Sequence, residues 1–397
     1  MGTSKNHPSA ALPHKEGLLR CPSRAALNVL SSTPRASLGG RLASGWFLEV
    51  PFIMDLKLFD YRYPKELIAQ HPLPEREASR LMVLDRRQQS WEHRRFVDLL
   101  EYFKAGDVLV LNDSKVFPAR LYGIDRKERR FEVLLLSQKS PFQWTCLASP
   151  MKPIKEGVSL NFDGKITGHL VREGDGALIV FEPHPNLEEV LDQIGLPPLP
   201  PYIQRSYNGE GDAEDRERYQ TIYAEKRGSA AAPTAGFHFS QKILEGLTSM
   251  GVKIIYVTLH ISRDTFLPVR VATIEDHRMH GESFEVSEET ARVINEAKRE
   301  GRRLTAVGTT TARALESAYS PKTEGVEPLQ KMTSLFIKPG DAFKVVDRLL
   351  TNFHQPQSTL LMMVSALAGR EFILEAYQEA ICQKYRLFSY GDCMLIV

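Results

Sequence analysis

The stretch GSAAAPTAGFHF, at residues 228–239, decides how the rest of the chain is organised. Glycine, serine and alanine have almost no apolar volume to bury, so this run is not suited to filling a core. Small side chains instead let a ligand approach backbone N–H groups closely, which predicts a loop. Residues 240–250 then have apolar positions at helical spacing, with Ser240 as the N-cap and Gly251 after the end. His238 is thereby placed just before a helix, in either a tight packing turn or a ligand-binding loop.

The composition is that of a soluble globular protein, with 397 residues, 42% of them hydrophobic and 25% charged. Its four cysteines lack zinc-site spacing and are too few for a disulfide framework, which predicts a reducing, cytoplasmic setting. No apolar run approaches the ~20 residues that span a bilayer, so a membrane role is not expected. Residues 1–53 are rich in Ser, Ala, Arg and Pro and lack periodicity. We expect a disordered extension there, either a targeting or tail segment or translation from an upstream start.

The net charge of +2 does not by itself favour a polyanionic partner. A nucleic-acid surface must then be a local basic patch, such as Arg129 with Arg130 or Arg302 with Arg303. Each of these clusters is either an RNA contact or a solvated surface.

A segment of short β-strands interrupts the middle of the chain. Strand-like runs lie at 131–136, 144–148, 158–162, 165–171 and 177–181. Their regular spacing between turn signals is typical of a small barrel or sandwich. The proline-rich stretch 196–202 predicts a stiff, extended connector. We therefore predict an α/β main domain, 54–120 plus 201–397, into which an all-β, barrel-like domain at 121–200 is inserted.

Strand, loop and helix units occupy the chain on both sides of that insertion. The run DVLVL at 107–111 predicts a strand, and the turn residues 112–115 follow it. Further strands are predicted at 252–259, 304–307 and 334–337, and helices at 287–300, 308–318 and 360–368. Such units are typical of an α/β sheet that binds ligands at the carboxyl ends of its strands. We expect the loops after the strands, at 260–265, 308–313 and 351–358, to converge there beside His238.

Two short motifs have chemical properties of their own. The turn at Gly308, Thr309 and Thr310 offers N–H groups, hydroxyls and a positive helix end, which suits a carboxylate or a phosphate. Its spacing is not that of a loop that binds a nucleoside triphosphate. The segment DHRMHGE at 276–282 contains two histidines and two acids, so it is a candidate metal or acid–base cluster. It lacks the HExxH pattern and a convincing third ligand, and we therefore expect no metal.

Seven long segments of the chain form a much more specific set of motifs. They are LFDYRYPKELIAQHPLPERE at 58–77, VLNDSKVFPARLYG at 110–123, AAPTAGFHF at 231–239, DHRMHGESFEVS at 276–287, VGTTTARALES at 307–317, TNFHQPQSTLLMMVSALAGRE at 351–371 and FSYGDCMLIV at 388–397. In this order they resemble the signature segments of the S-adenosylmethionine:tRNA ribosyltransferase-isomerases of queuosine biosynthesis, the QueA family. The likeness runs from Met54 to the last residue.

The resemblance implies an α/β fold that is interrupted by a small β-barrel, and an enzyme that modifies tRNA. Its reaction would transfer the ribosyl group of S-adenosylmethionine to 7-aminomethyl-7-deazaguanine at the wobble position of tRNAs with a GUN anticodon. Epoxyqueuosine, adenine and methionine are the expected products. S-adenosylmethionine is then a cosubstrate, and no permanently bound cofactor, metal or membrane partner is expected. We also expect a monomer.

The expected reaction requires a base and an acid. A carbon bonded to a sulfonium is acidified, so a base near C5′ can form an ylide, and adenine leaves as the ribose opens. The histidines that resemble family positions, His238, His260 and His280, are candidates for proton transfer. Asp276 and Glu282 are candidates to orient them. Each histidine can equally well have only a structural role, as the cap of a turn. The argument from the residue type for a catalytic role is only that the pKa of histidine lies near neutral pH.

A second set of candidates binds the substrates. Thr309, Thr310 and Arg313 are expected to anchor a methionyl carboxylate or a phosphate. Lys115, in the turn after the first strand, either holds an anion or is solvated. Further substrate-binding candidates lie in the matching segments: Pro233, Thr234, Gly236, Thr265, Phe266, Gly308, Asn352, His354 and Ser358.

One segment departs from the family pattern LHVGxGTFxPV, since residues 259–269 read LHISRDTFLPV. Ser262 and Asp264 replace glycines that would permit positive φ or close approach of the backbone. The loop either fits less tightly or has gained a new contact. Two other functional classes stay open on the fold alone. They are a non-catalytic tRNA- or nucleotide-binding protein, and a methyltransferase, which would leave S-adenosylhomocysteine as its product.

Overall fold

The computed structural model describes residues 54–174, 176–205, 211–262, 269 and 271–397. The strands are β1 Arg80–Asp85, β2 Ser90–Arg95, β3 Val108–Asn112, β4 Ser114–Val116, β5 Arg120–Ile124, β6 Arg130–Ser140, β7 Gln143–Ser149, β8 Val158–Phe162, β9 Ile166–Glu173, β10 Gly176–Phe181, β11 Lys226–Ser229, β12 Lys253–Leu259, β13 Glu282–Val286, β14 Leu304–Val307, β15 Tyr319–Ser320, β16 Gly325–Val326, β17 Leu329–Thr333, β18 Arg348–Asn352 and β19 Cys393–Ile396. The α-helices are α1 Leu187–Ile194, α2 Asp212–Arg218, α3 Gln241–Ser249, α4 Glu288–Arg299, α5 Thr309–Ala318, α6 Thr359–Ala368 and α7 Arg370–Cys382.

A large mixed sheet runs through the main body in the order β17-β13-β12-β3-β14-β18-β19-β1-β2. Its centre, β12-β3-β14-β18, is parallel. Along β3, Val108 and Val110 belong to one hydrophobic cluster while Leu109 and Leu111 belong to another. Because successive side chains point to opposite faces, these two clusters cover both sides of the sheet, as a parallel sheet requires.

The main helices begin where the sequence predicts them. The side chains of Ser240, Ser287 and Ser358 each accept a hydrogen bond from the N–H three residues further on, and they cap α3, α4 and α6. Gly251 follows α3 with φ of +83°, a left-handed conformation that glycine adopts without strain. Local chemistry thus determines these helix ends.

A closed barrel forms from β5 to β10, in the order β10-β7-β6-β5-β8-β9. Burial alternates along its strands, and on β8 it is Val158, Leu160 and Phe162 that point into the barrel core. Helix α1 packs Leu187 and Leu191 against that same core. The predicted fold class, an α/β body with a barrel-like insertion, is confirmed. The exact domain boundaries stay a prediction, and the expected disordered extension lies outside the described residues.

Three local predictions are wrong. Residues 334–337 are not a strand: pairing with β13 ends at Thr333, whose hydroxyl accepts a hydrogen bond from the N–H of Leu335. Residues 112–115 are not a simple turn, because β4 pairs in parallel with β11. The small-residue stretch is not excluded from the core, since Ala231 and Ala235 are buried. In each case a partner distant in sequence determines the conformation.

Candidate active site

Loops at the carboxyl ends of β14 and β18 meet the small-residue stretch around one cavity. The predicted residues that line it are Pro233, Thr234, Gly308, Thr309, Thr310, Asn352, His354 and Ser358. Two of the three loops predicted to converge, 308–313 and 351–358, thus meet at this cavity, and the third, 260–265, lies partly outside the described residues.

The amino end of α5 forms one wall of this cavity. Gly308 precedes the helix with φ of +89° and has no side chain to cap it. The first N–H groups of α5, near Thr309 and Thr310, have no partner within a helix, and the helix dipole is positive at this end. An anionic group in the cavity would be stabilised there, as the sequence predicted.

Asn112, at the end of β3, forms hydrogen bonds to β4, β12 and α5 beside the cavity. Its amide oxygen accepts hydrogen bonds from the N–H groups of Ser114 and Leu259, at 3.1 and 3.0 Å. Its amide nitrogen donates to the carbonyl of Leu259 at 3.0 Å and to the hydroxyl of Thr310 at 3.4 Å. Asn112 was not predicted as a site residue, and its position directly after an apolar strand was the available signal.

A buried hydrogen-bonded chain leads from the cavity wall to His238. The Thr234 hydroxyl donates to the Asn352 amide oxygen at 2.8 Å, and the Asn352 amide nitrogen lies 3.3 Å from His238 Nε2. His238 Nδ1 lies 2.8 Å from Ser79 Oγ, and the ring packs 5.3 Å from that of Phe96. Burial lowers the pKa of His238 to about 3, so its ring is neutral at neutral pH.

A second buried histidine, His354, supports the loop after β18. Its Nε2 lies 2.9 Å from Thr351 Oγ1, and its N–H donates to the Tyr377 hydroxyl at 2.9 Å. The Tyr61 hydroxyl donates to its carbonyl. Burial lowers the pKa of His354 to about 3 as well. This histidine is therefore a neutral wall of the cavity, fixed in place by aromatic hydroxyls.

Arg313 and Glu282 form a buried ion pair next to the main cavity. Arg313 Nη1 lies 2.5 Å from Glu282 Oε2, and Nη2 donates to the carbonyls of His280 and Thr333, at 3.0 Å each. Glu282 also accepts from the N–H of Ser262 at 2.8 Å. Both residues line a smaller cavity that shares Thr309 and Thr310 with the main one. The Arg313 charge is thus already balanced within the protein.

Other predicted residues lie away from the main cavity lining. His260 is half-buried, its Nδ1 has no partner within the described residues, and burial lowers its pKa, which Asp113 opposes. Lys115 is exposed on β4, and Asp276 is exposed and accepts from Thr273. His280 is exposed, whereas Gly236 is buried at a place where a Cβ would overlap the Tyr223 hydroxyl. Thr265, Phe266 and Asp264 fall outside the described residues.

Two aromatic residues that the sequence reasoning missed line the cavity. Tyr202 and Phe388 have ring centroids 5.0 Å apart, and the Tyr202 hydroxyl lies 2.7 Å from Ser389 Oγ. Phe388 has φ of +69°, a left-handed conformation that is strained for a bulky residue and that is often found at functional sites. Phe388 begins FSYGD, the start of the segment 388–397, which is one of the seven motifs that resemble the family. Its place in that motif was the available signal that it lies at the site.

Within the described ranges, no group of three His, Cys, Asp or Glu side chains is placed to hold a metal ion. The same part of the chain contains no helix that is long and apolar enough to cross a bilayer.

The fold is an α/β body with an inserted barrel, and its main cavity lies at the carboxyl ends of parallel strands, beside the amino end of α5. The family model described as "Queuosine biosynthesis protein" matches residues 56–396. A crystal structure of S-adenosylmethionine tRNA ribosyltransferase from Thermotoga maritima is 37% identical, and the match covers 86% of this chain and 100% of that chain, with a TM-score of 0.48. The chain belongs to the queuosine biosynthesis protein family, which confirms the family and the queuosine role predicted from the motifs.

Proposed function

We propose that this chain transfers and isomerises the ribosyl moiety of S-adenosylmethionine onto 7-aminomethyl-7-deazaguanine at the tRNA wobble position. The products are epoxyqueuosine-tRNA, adenine and methionine, so the enzyme is a transferase. The observation that carries the proposal is the cavity at the carboxyl edge of the sheet, in a chain of this family. Its walls offer a helix N-terminus, the neutral histidine His354 and aromatic rings, which together suit a sulfonium nucleoside.

The amino end of α5 holds the methionyl carboxylate. Thr309 and Thr310 supply N–H groups and hydroxyls there, and the helix dipole adds favourable electrostatics. Arg313, which was predicted for this role, instead stabilises the wall through its ion pair with Glu282. Tyr202 and Phe388 give the adenine ring an aromatic surface to pack against.

His238 is a candidate for the base that removes the C5′ proton, which the adjacent sulfonium has acidified, because it is a neutral imidazole hydrogen-bonded to Asn352 of the cavity wall. The resulting ylide expels adenine as the ribose ring opens, and the electrophile that forms is attacked by the amine of the modified base. Methionine then leaves as the epoxide closes. His260, His280 and Asp276 remain candidates for the other proton transfers, and Thr265 and Phe266 for substrate contacts.

The tRNA substrates are those with a GUN anticodon, as the resemblance to the family implies. The chain acts as a monomer in the cytoplasm, with S-adenosylmethionine as a cosubstrate and without a permanently bound cofactor or metal. These details belong to the proposal and are tested with it.

Product analysis tests the reaction directly. With S-adenosylmethionine and tRNA that carries the aminomethyl-deazaguanine, the protein should release adenine and methionine in a 1:1 ratio with epoxyqueuosine. Formation of S-adenosylhomocysteine would identify a methyltransferase, and binding of both substrates without turnover would identify a non-catalytic binding protein. Either result contradicts the proposal.

A charge placed at the helix end tests the cosubstrate site. Thr310→Glu puts a carboxylate where the methionyl carboxylate is proposed to lie, and should raise the KM for S-adenosylmethionine at least tenfold. The matched control is Thr248→Glu, the same change at an exposed position of α3, which should leave KM within twofold. An unchanged KM in a folded Thr310→Glu variant would place the carboxylate elsewhere.

A further inference from the structure

A second, shallow cavity adjoins the proposed active site. It lies between residues 72–79, the end of α2 and residues 389–391. His238 forms part of its wall, and Ser389 lines both this cavity and the main one. A ligand group bound in this second cavity would therefore be next to the reacting groups.

Two arginine side chains line the second cavity. Arg76 donates a hydrogen bond to the carbonyl of Phe237 at 3.2 Å, and Arg218 donates to the carbonyls of Leu73 and Pro74 at 2.8 and 3.0 Å. These bonds to backbone carbonyls fix the guanidinium groups in place. Within the described ranges, neither arginine is in an ion pair with an acid.

A third arginine, Arg386, flanks the same cavity. It donates to the carbonyl of His71, and its Nη1 is buried without a partner among the described residues. The neighbouring Arg205 shows the contrast, because it is held by both carboxylate oxygens of Asp215 at 2.6 and 2.8 Å. Arg205 is thus paired directly with an acid, whereas the side chains of Arg76, Arg218 and Arg386 bond to backbone carbonyls, and the charges of Glu217 and Asp392 act on Arg76 and Arg386 respectively.

The charges of these arginines act on one another and on the active site. Burial is the main cause that lowers the pKa of Arg76, and the nearby charge of Arg218 lowers it further, while the charge of Glu217 opposes this shift. Arg386 and Arg76 likewise add to the effect of burial in lowering the pKa of His238. The acid Glu75 also lines the cavity, but it is exposed. Clustered like charges are unfavourable unless an anion binds between them.

We propose that Arg76, Arg218 and Arg386 form a binding site for an RNA backbone phosphate that flanks the nucleotide to be modified. This inference rests on the proposed function and specifies how its tRNA substrate is held. A base that leaves the stack to enter the main cavity brings its own phosphates with it, since they are attached to the same ribose. Guanidinium groups bind phosphate oxygens well because their donors form a rigid, charged fork.

The carboxylate of S-adenosylmethionine is the other anion that the arginines can meet. The main cavity already offers that carboxylate the amino end of α5, at Thr309 and Thr310. A polyanion, in contrast, supplies phosphates on both sides of the base, and neutralising them releases counterions. The two anions therefore differ in a measurable way, the salt dependence of binding.

The test measures the Kd of full-length protein for the tRNA over a series of KCl concentrations. The double variant Arg76→Gln/Arg218→Gln should bind more weakly and should flatten the plot of log Kd against log[KCl] by about 0.7 per lost phosphate contact. Arg76→Lys/Arg218→Lys, which keeps both charges, should retain most of the slope. The KM for S-adenosylmethionine should stay within twofold in both variants.

The control is Arg87→Gln, which removes the same charge from an exposed side chain in the turn between β1 and β2. That turn lies where β19 ends, since Arg86 N–H donates to the carbonyl of Val397. This is the edge of the sheet opposite the cavities, so the control should leave the salt slope unchanged. A wild-type slope in the double variant, or a raised KM for S-adenosylmethionine without a slope change, would overturn the proposal.

An RNA modification gives a test that does not depend on the variants folding. An anticodon stem-loop with one uncharged methylphosphonate beside the wobble nucleotide should flatten the slope of the wild-type protein, and should have no further effect on the double variant. If neither flanking methylphosphonate changes the wild-type slope, the phosphate site is wrong. Adenine release by the wild-type protein is measured separately, so failure of the proposed reaction is distinguishable from failure of the phosphate contact.

Discussion

Replacing His238 with glutamine should make the protein less sensitive to acid. The imidazole is buried against Phe96 and is hydrogen-bonded to Ser79 and Asn352. Burial lowers its pKa in the folded protein to about 3, while an exposed imidazole in the unfolded chain has a pKa of about 6.5. The stability that His238 contributes is therefore fully present above pH 6.5 and is lost as the pH falls toward 3.

The size of this loss follows from the two pKa values. At pH 5 the imidazole is protonated in the unfolded chain and still neutral in the folded protein. The resulting loss in the free energy of unfolding therefore depends on the gap between the unfolded pKa of about 6.5 and pH 5. Each pH unit of this gap is worth about 1.36 kcal/mol, so the free energy of unfolding falls by about 2 kcal/mol between pH 7.5 and pH 5 because of His238. Any folded-state pKa well below 5 gives nearly the same figure.

Urea denaturation at pH 7.5 and pH 5.0, followed by circular dichroism, measures this loss. His238→Gln should lose about 2 kcal/mol less than the wild type between the two pH values, because the variant has no proton to bind on unfolding. Lost packing against Phe96 lowers its stability at both pH values and cancels in the difference. His354→Gln should behave in the same way, since burial lowers the pKa of His354 to about 3.

The control is His169→Gln, at an exposed histidine on barrel strand β9. It should keep the pH dependence of the wild type. If His238→Gln also loses as much stability as the wild type on acidification, the ring of His238 is not buried in a neutral form. The assignment of His238 as a neutral base would then be wrong.

Three further predictions concern the buried ion pair of Glu282 with Arg313, residues 1–53 and Arg129 of the barrel domain. Glu282→Gln leaves the buried charge of Arg313 without its partner and should lower the free energy of unfolding by about 3–5 kcal/mol in urea denaturation. Arg313→Met added to that variant should restore part of the loss. A chain that begins at Met54 should fold and release adenine at the full-length rate, and a large loss of solubility or rate would show that residues 1–53 take part. Arg129→Gln should leave the salt slope of tRNA binding unchanged, because its guanidinium already pairs with an acid in its own hairpin.

The sequence by itself determined the local elements and the family. Serine caps, glycine after helices and alternating apolar residues act within a few positions, so helix starts such as those after Ser240 and Ser287 could be read directly. The barrel strands followed from their period of two and their turn signals. The convergence of loops followed from the general rule that the carboxyl ends of parallel strands meet at one edge.

Only the tertiary structure decided which side chains become partners. His238 is held by Asn352, 114 positions away, and Asn112 joins Leu259 across 147 positions. Arg313, which the sequence predicts to bind substrate, is paired with an acid 31 positions earlier, and only the structure shows this partner.

The sequence alone also could not show which polar side chains the fold buries. The local sequence around a histidine does not show whether its side chain is exposed or buried in the folded protein. Its pKa depends on which segments pack over it. The three arginines of the second cavity come from separate parts of the chain, and no spacing rule links them. Patterns along a chain encode local geometry, whereas desolvation and charge pairing depend on distances in space between residues that are remote in sequence.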